Sequence, residues 1–273
     1  MLSQKIVFAN GDWLISVRHF FLISSVLILE NMCGRYVIVN GKVVLQSFAK
    51  LYLESIQDPF SDLPRFNASP GQRLPVVALR NDTLVVEKMR WWLVPHWSKD
   101  GKIKATTFNA KAETLGESKL FAPYFKSSRC LVPADAFYEW KRVTTILEVK
   151  GKKKELEEKQ PMCIRMKDEK SFMFAGLFSV WKNEKGEEFP SFTIITTEPN
   201  KLMSGIHNRM PVILPEKHFE MWLDRDYKET GELKKLLKPY PATKMKTFRV
   251  SSYVSNSRNE GPECMRRLKD GDY

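Results

Sequence analysis

The chain has 273 residues, 43% hydrophobic and 28% charged, with a formal net charge of +12 and a pI near 9.4. These proportions exclude a disordered or fibrous chain and leave a globular protein of one large domain or two ordinary ones, able to bury a sizeable core. The charge excludes an acidic surface kept soluble by carboxylates and points to a polyanionic partner or a membrane surface.

Four cysteines, Cys33, Cys130, Cys163 and Cys264, are scattered without a Cys-x-x-Cys pair and without a histidine at metal-ligand spacing. Neither a structural zinc nor a disulfide framework is expected, and the chain reads as reduced and cytoplasmic, with no metal and no cofactor. Residues 20–29 are apolar apart from two serines. A spanning helix needs about 20 residues, so this run is too short to cross a bilayer. A signal peptide would need a small-x-small cleavage site after it, and none follows.

Met32-Cys33 reads as an initiation site, because methionine is trimmed when the next side chain is small. Residues 1–32 are therefore expected to be an extension absent from or removed in the mature protein, with 33–273 as the functional domain. A Cys33 at the chain start would carry an amine and a thiol on adjacent carbons. An aldehyde is taken by such an amine as an imine and closed by the sulfur into a thiazolidine. The amine titrates near ~7.7–8.0 and a free thiol near ~8.5, so neither needs strong tuning. The other reading of residues 32–36 is an ordinary strand start with a buried cysteine.

Residues 36–40 read as a strand, Asn40-Gly41 as a turn, and 44–54 carry apolar residues at helical spacing. Residues 58–70 form a proline-punctuated loop. Residues 74–80 and 84–92 predict a hairpin around Asn81-Asp82, a two-residue connection with turn chemistry. Trp91, Trp92 and Trp97 follow; such rings fill a core or, partly exposed, stack on bases at ~1–3 kcal/mol each. Residues 108–114 open a short helix with Asn109 and Lys111. Residues 129–133 and 137–142 predict strands, the second carrying Glu139 between Tyr138 and Trp140. Two aromatic neighbours would desolvate that carboxylate and raise its pKa; the alternative is a surface Glu on an alternating strand.

The charged run 150–159 reads as a solvated loop. Strands are expected over 162–166, 172–181 and 192–197, then a helix from Glu198-Pro199-Asn200 to Gly205-Ile206. His207 lies in the loop before a strand over 211–214; histidine is the side chain suited to moving protons near neutrality. Residues 215–223 and 228–237 read as helices and 246–250 as a last strand. Many short strands with a few helices give an α+β fold in a single domain.

Five segments stand together in order: 32–36 (Met-Cys-Gly-Arg-Tyr), 66–72 (Phe-Asn-Ala-Ser-Pro-Gly-Gln), 90–97 (Arg-Trp-Trp-Leu-Val-Pro-His-Trp), 130–140 (Cys-Leu-Val-Pro-Ala-Asp-Ala-Phe-Tyr-Glu-Trp) and 204–211 (Ser-Gly-Ile-His-Asn-Arg-Met-Pro). With Val-Ser-Asn-Ser-Arg-Asn at 254–259, they resemble the SOS response-associated peptidase (SRAP) family, whose members crosslink themselves to abasic sites in single-stranded DNA. The resemblance runs from residue 32 to about 268.

The resemblance implies barrel-like packed antiparallel sheets with peripheral helices. It also implies an abasic-site processing protein of the DNA damage response, with Cys33, Asn109, Glu139 and His207 catalytic. Arg35, Asn67, Pro70, Trp91, Trp92, Lys111 and Arg209 would contact DNA. Lys111 stands where the family usually has Arg, and an ammonium grips phosphate with less orientation than a guanidinium fork. Trp92 stands where the family more often has Gly. Lyase and peptidase activities belong to the same expectation. The partner would be single-stranded DNA with abasic sites, with no membrane and no obligate protein partner, in the cytoplasm or on a bacterial nucleoid. Two further readings stay open: a thiol peptidase using Cys33 on its own leader, and a non-catalytic single-strand binding module.

Overall fold

The computed structural model describes residues 33–40, 60–149 and 152–269, with backbone alone at 145–149 and 152–154. The extension over 1–32, the second half of the Asn40-Gly41 turn and the helix expected over 44–54 lie outside the described residues. The described residues belong to one compact unit, Met32–Tyr273. Among them no helix is long and apolar enough to cross a membrane.

Five strands close on themselves. The hairpin of β3 (Arg73–Arg80) and β4 (Thr83–Trp91) pairs on one side with β6 (Arg129–Ala134) and on the other with β10 (Glu188–Thr197), and β9 (Phe172–Lys182) joins β6 to β10. Closure leaves the ring without a free edge. The hairpin turn falls on Asn81 and Asp82, both in the left-handed region at φ 48° and 61°, the geometry a two-residue turn of the primed type requires. One correction concerns direction. β10 runs parallel to β4, and parallel to the short strand β5 (Asn109–Lys111), so the ring is not wholly antiparallel.

A second sheet packs against the ring in the order β13–β8–β7–β1–β2: β13 is Met245–Arg249, β8 Lys152–Met166, β7 Ala136–Val149, β1 Tyr36–Ile38 and β2 Arg65–Ala68. Strand alternation decides what faces the ring. Tyr36, Ile38 and Phe137 join the core between the sheets, while Val37 and Tyr138 face a smaller cluster with Cys163, Val254 and Cys264 on the outside. Glu139, next in the alternation after Phe137, is thereby sent inward, opposite Met162 of the same core. The surface reading of Glu139 does not hold, because its strand is buried on both faces at this point.

On the far side of the ring, α1 (Ala122–Ser127), α2 (Phe219–Leu223) and α3 (Thr230–Leu236) contribute Phe125, Trp222 and Leu233 to another apolar cluster. Arg129 at the start of β6 is buried there. Its guanidinium donates to the carbonyls of Trp222 at 2.6 Å and of Phe125 and Lys126 at 2.8 Å, and also to Asp224. Burial pulls its pKa down to about 10.

Several expected elements differ. The loop over 58–70 contains β2, because residues 65–68 add to the edge beside β1. The expected helix at 108–114 begins as β5, since β10 offers a parallel backbone partner that overrides local propensity. The charged run, of which 150 and 151 lie outside the described residues, is from Lys152 on the second arm of the β7–β8 hairpin, where Val143 and Thr144 oppose Glu158 and Glu157. Ladder bonds need no burial, so a charged strand opposite β-branched residues remains a solvated ribbon. In place of the helix expected from 198, residues 201–206 form successive turns, with His207 N–H bonding Met203 O at 2.9 Å. The strand at 211–214 splits at Val212, whose N–H donates to Ile195 while its carbonyl accepts from Ala175, so β11 (Met210–Pro211) pairs with β10 and β12 (Ile213–Leu214) with β9.

Candidate active site

Cys33 lies three residues before β1, Glu139 projects from β7, and His207 ends the turns before β11. These three positions, far apart in the chain, bring a thiol, a carboxylate and an imidazole together with donor atoms all within 4.8 Å of one another. The His207 Nδ1 lies 3.8 Å from Glu139 Oε1. Cys33 and Glu139 are buried, at 4% and 3% exposure. Burial is the main cause that raises the Glu139 pKa, against the opposing pull of His207. Burial also pushes the Cys33 thiol well above its ordinary value, and the neighbouring Glu139 adds to the effect while Arg209 opposes it. Both shifts favour the neutral acids, whose side chains hydrogen-bond each other, and among the described residues Glu139 Oε1 is an atom left without a partner.

Arg209 shapes this pocket through its backbone and its side chain. Its N–H and its carbonyl both lie 3.2 Å from His207 Nδ1, so one residue offers the ring a donor when Nδ1 is bare and an acceptor when Nδ1 carries a proton. Its guanidinium is held by Glu113 and by the Thr196 carbonyl at 2.7 Å, and its Nε is buried without a partner. Neither Glu113 nor Thr196 was singled out from the sequence; a carboxylate between Ala112 and Thr114 reads as solvent-facing, and nothing in spacing links it to residue 209.

Asn109 is buried in β5, where its Nδ2 donates to Ile194 O at 3.4 Å and its Oδ1 has no partner, an open acceptor beside β10. Arg35 and Asn67 act together on another part of the molecule. Arg35 donates to Asn67 Oδ1 at 3.0 Å, to Val254 O at 2.9 Å and to Ser255 O at 3.3 Å, and it lies over the Trp140 ring. Asn67 donates to the carbonyls of Val254, Asn256 and Asn259. Both side chains are thus spent on fastening residues 254–259 to β1 and β2.

Trp91 is a core residue at 1% exposure, bonded through its indole N–H to Phe108 O and packed on Tyr36 and Phe192; a ring so enclosed offers no face to a base. Trp92 is half-buried against Phe108, Pro70 is half-buried in the turn after β2, and Lys111 is exposed at the end of β5. Trp97, read from the sequence alongside the other two, is the exposed tryptophan of the three, at 59%.

With this geometry in hand, comparison with known proteins is informative. The family described as SOS response associated peptidase (SRAP) matches residues 32–257. The chain belongs to the SRAP family. Its relatives include the abasic site processing protein YoqW of Bacillus subtilis, 40% identical over 235 residues that cover 86% of this chain and 99% of that protein. The abasic site processing protein HMCES of Rattus norvegicus is 31% identical, over 86% of this chain and 75% of that protein. Among solved structures, a protein of Bacteroides thetaiotaomicron superposes with a TM-score of 0.63 at 27% identity, covering 88% of this chain and 99% of its own. The SRAP match begins at residue 32, one position before Cys33.

Proposed function

We propose that this SRAP protein processes abasic sites in single-stranded DNA by forming a covalent thiazolidine through Cys33 at the start of its functional polypeptide. The observation that carries the reading is the buried meeting of Cys33, Glu139 and His207 within 4.8 Å. Two relatives named as abasic site processing proteins and a net charge of +12 support it.

The chemistry balances without a redox partner. The Cys33 amine adds to the aldehyde carbon of the opened abasic sugar and water leaves, giving an imine. The thiol then adds across the C=N bond, sulfur to carbon and proton to nitrogen, and the ring closes with the net loss of one water. Glu139, whose pKa burial raises, suits delivery of a proton to the departing hydroxyl; His207 suits taking the proton from the attacking amine. Asn109, with its open acceptor, suits a sugar hydroxyl. Lys111 supplies a phosphate contact from the exposed end of β5, and Arg209, Trp92 and Pro70 flank the strand. Arg35 and Asn67 contribute by holding residues 254–259, and Trp91 supports the pocket wall from the core.

An oligonucleotide with one abasic site tests the reading. A chain that begins at Cys33 is expected to give a heat-stable adduct that Cys33→Ser does not give, and Glu139→Gln and His207→Ala are expected to slow it ~10²–10⁴-fold with DNA binding retained. A stable adduct from chains shown by intact mass to retain residues 1–32 would overturn the amine mechanism. A second reading, a thiol peptidase that cuts its own leader, is favoured by the same trio, which supplies a nucleophile, a base and an orienting carboxylate. Release of residues 1–32 from purified full chain, lost in Cys33→Ala, would support it.

A further inference from the structure

The donor set at Cys33, Glu139 and His207 also has the composition of a metal site. Zinc-type dications take thiolate, imidazole and carboxylate donors in a tetrahedral shell at ~2.0–2.3 Å, which places neighbouring donors ~3.3–3.7 Å apart. The His207 Nδ1 and Glu139 Oε1 atoms are already 3.8 Å apart. Bringing the widest possible separation, 4.8 Å, into range takes a movement of about 1 Å, within reach of small side-chain rotations.

A second observation points the same way. Glu139 is buried, and its Oε1, 3.8 Å from His207 Nδ1, has no hydrogen-bond partner among the described residues. An unpaired acceptor in a dry site is costly, and a cation satisfies it.

We propose that Cys33, Glu139 and His207 form a binding site for one zinc-type divalent transition-metal ion, with a fourth coordination position open. On binding, the thiol and the carboxyl each release a proton to solvent, and sulfur, oxygen and a ring nitrogen donate lone pairs to the ion; no electron is transferred. A chain beginning at Cys33 adds its α-amine, which closes a five-membered chelate with the thiolate and fills the open position. Bound metal would then hold the amine and sulfur away from aldehydes, and release would expose them together. The site goes beyond the abasic-site reading and does not rest on it.

The test uses cobalt(II) alone, titrated into metal-free full chain near neutral pH in the absence of DNA, so it stands or falls apart from crosslinking. A near-ultraviolet sulfur-to-cobalt charge-transfer band is expected, saturating at one equivalent with micromolar affinity, bleached by zinc and lost on acidification as the thiol keeps its proton. Cys33→Ser is expected to abolish the band, and Glu139→Gln and His207→Ala to weaken binding ~10-fold or more. Glu139→Asp, which keeps a carboxylate, is expected to retain it. Cys33→Ala carries the same expectation as the serine variant should that variant fail to fold. A band that survives loss of the Cys33 thiol, or binding that needs millimolar cobalt, overturns the site.

Discussion

Glu113 grips Arg209 with both carboxylate oxygens, Oε1 accepting from Nη1 at 2.9 Å and Oε2 from Nη2 at 2.8 Å. The pair joins the stretch after β5 to the segment that carries His207, and it occupies both terminal nitrogens of the guanidinium. Glu113→Gln keeps the shape and removes the charge. Its side chain is about half exposed, so stability is expected to change by less than ~1 kcal/mol. Freed from its counter-charge, Arg209 becomes available to DNA, and the salt dependence of single-strand binding should steepen by ~0.7 in log–log slope. Fluorescence titrations at several salt concentrations measure it; an unchanged slope would remove Arg209 from the phosphate contacts.

Burial raises the Glu139 pKa in the folded protein above that of the unfolded chain. The folded state therefore binds the extra proton, and stability falls as pH rises from the ordinary carboxylate range towards the raised value. Glu139→Gln has no such proton to lose. Relative to the native protein it should gain stability steadily as pH increases through that window, while losing crosslinking rate. Urea unfolding at a series of pH values decides the matter, and parallel stability curves for the two proteins would refute it.

Asn67→Ala removes the donor to three carbonyls and the acceptor for Arg35. Buried partners left unsatisfied make the expected loss about 2 kcal/mol or more. Limited proteolysis should then cut within 254–259 faster than in the native protein. A variant as stable as native, yet weak in DNA binding, would return Asn67 to a direct role at the strand.

Lys111 is exposed at the end of β5, close in sequence to the buried Asn109. Lys111→Ala is expected to weaken single-strand binding evenly across sequences and reduce the salt slope by ~0.7, and Lys111→Arg to restore or improve it. Unchanged affinity and slope in the alanine variant would leave Lys111 as a solvated side chain.

Much of this was legible in the chain. The Asn81-Asp82 turn announced its hairpin because left-handed backbone is tolerated by few residue types, the strands around Cys130 and Phe174 announced themselves by apolar runs, and the strand around Ile194 by its β-branched residues. Glu139 and His207 were legible through motif context, and periodicity from Phe137 explains why Glu139 points inward. What stayed hidden depends on partners distant in sequence. β5 is a strand because β10 lies beside it, Asn67 is structural because residues 254–259 come to it, and Arg209 is engaged because Glu113 meets it. Trp91 and Trp97 look alike as letters; burial separates a wall of the core from an exposed ring. The metal-type donor set escaped for the same reason, since ligand spacing along a chain detects local sites and these three positions are not local.

The clasp of Arg35 on the carbonyls of Val254 and Ser255 spans 219 and 220 positions. During synthesis Arg35 leaves the ribosome well before its anchor at Val254 and Ser255. Contacts of such long range form late in folding, after much loop entropy has been spent. Arg35 is therefore held only after residues 254–259 have been made, and a chain stopped short of them would leave the segment before β1 without this clasp. Synthesis through this late segment is in this way a condition for fastening the stretch just after Cys33.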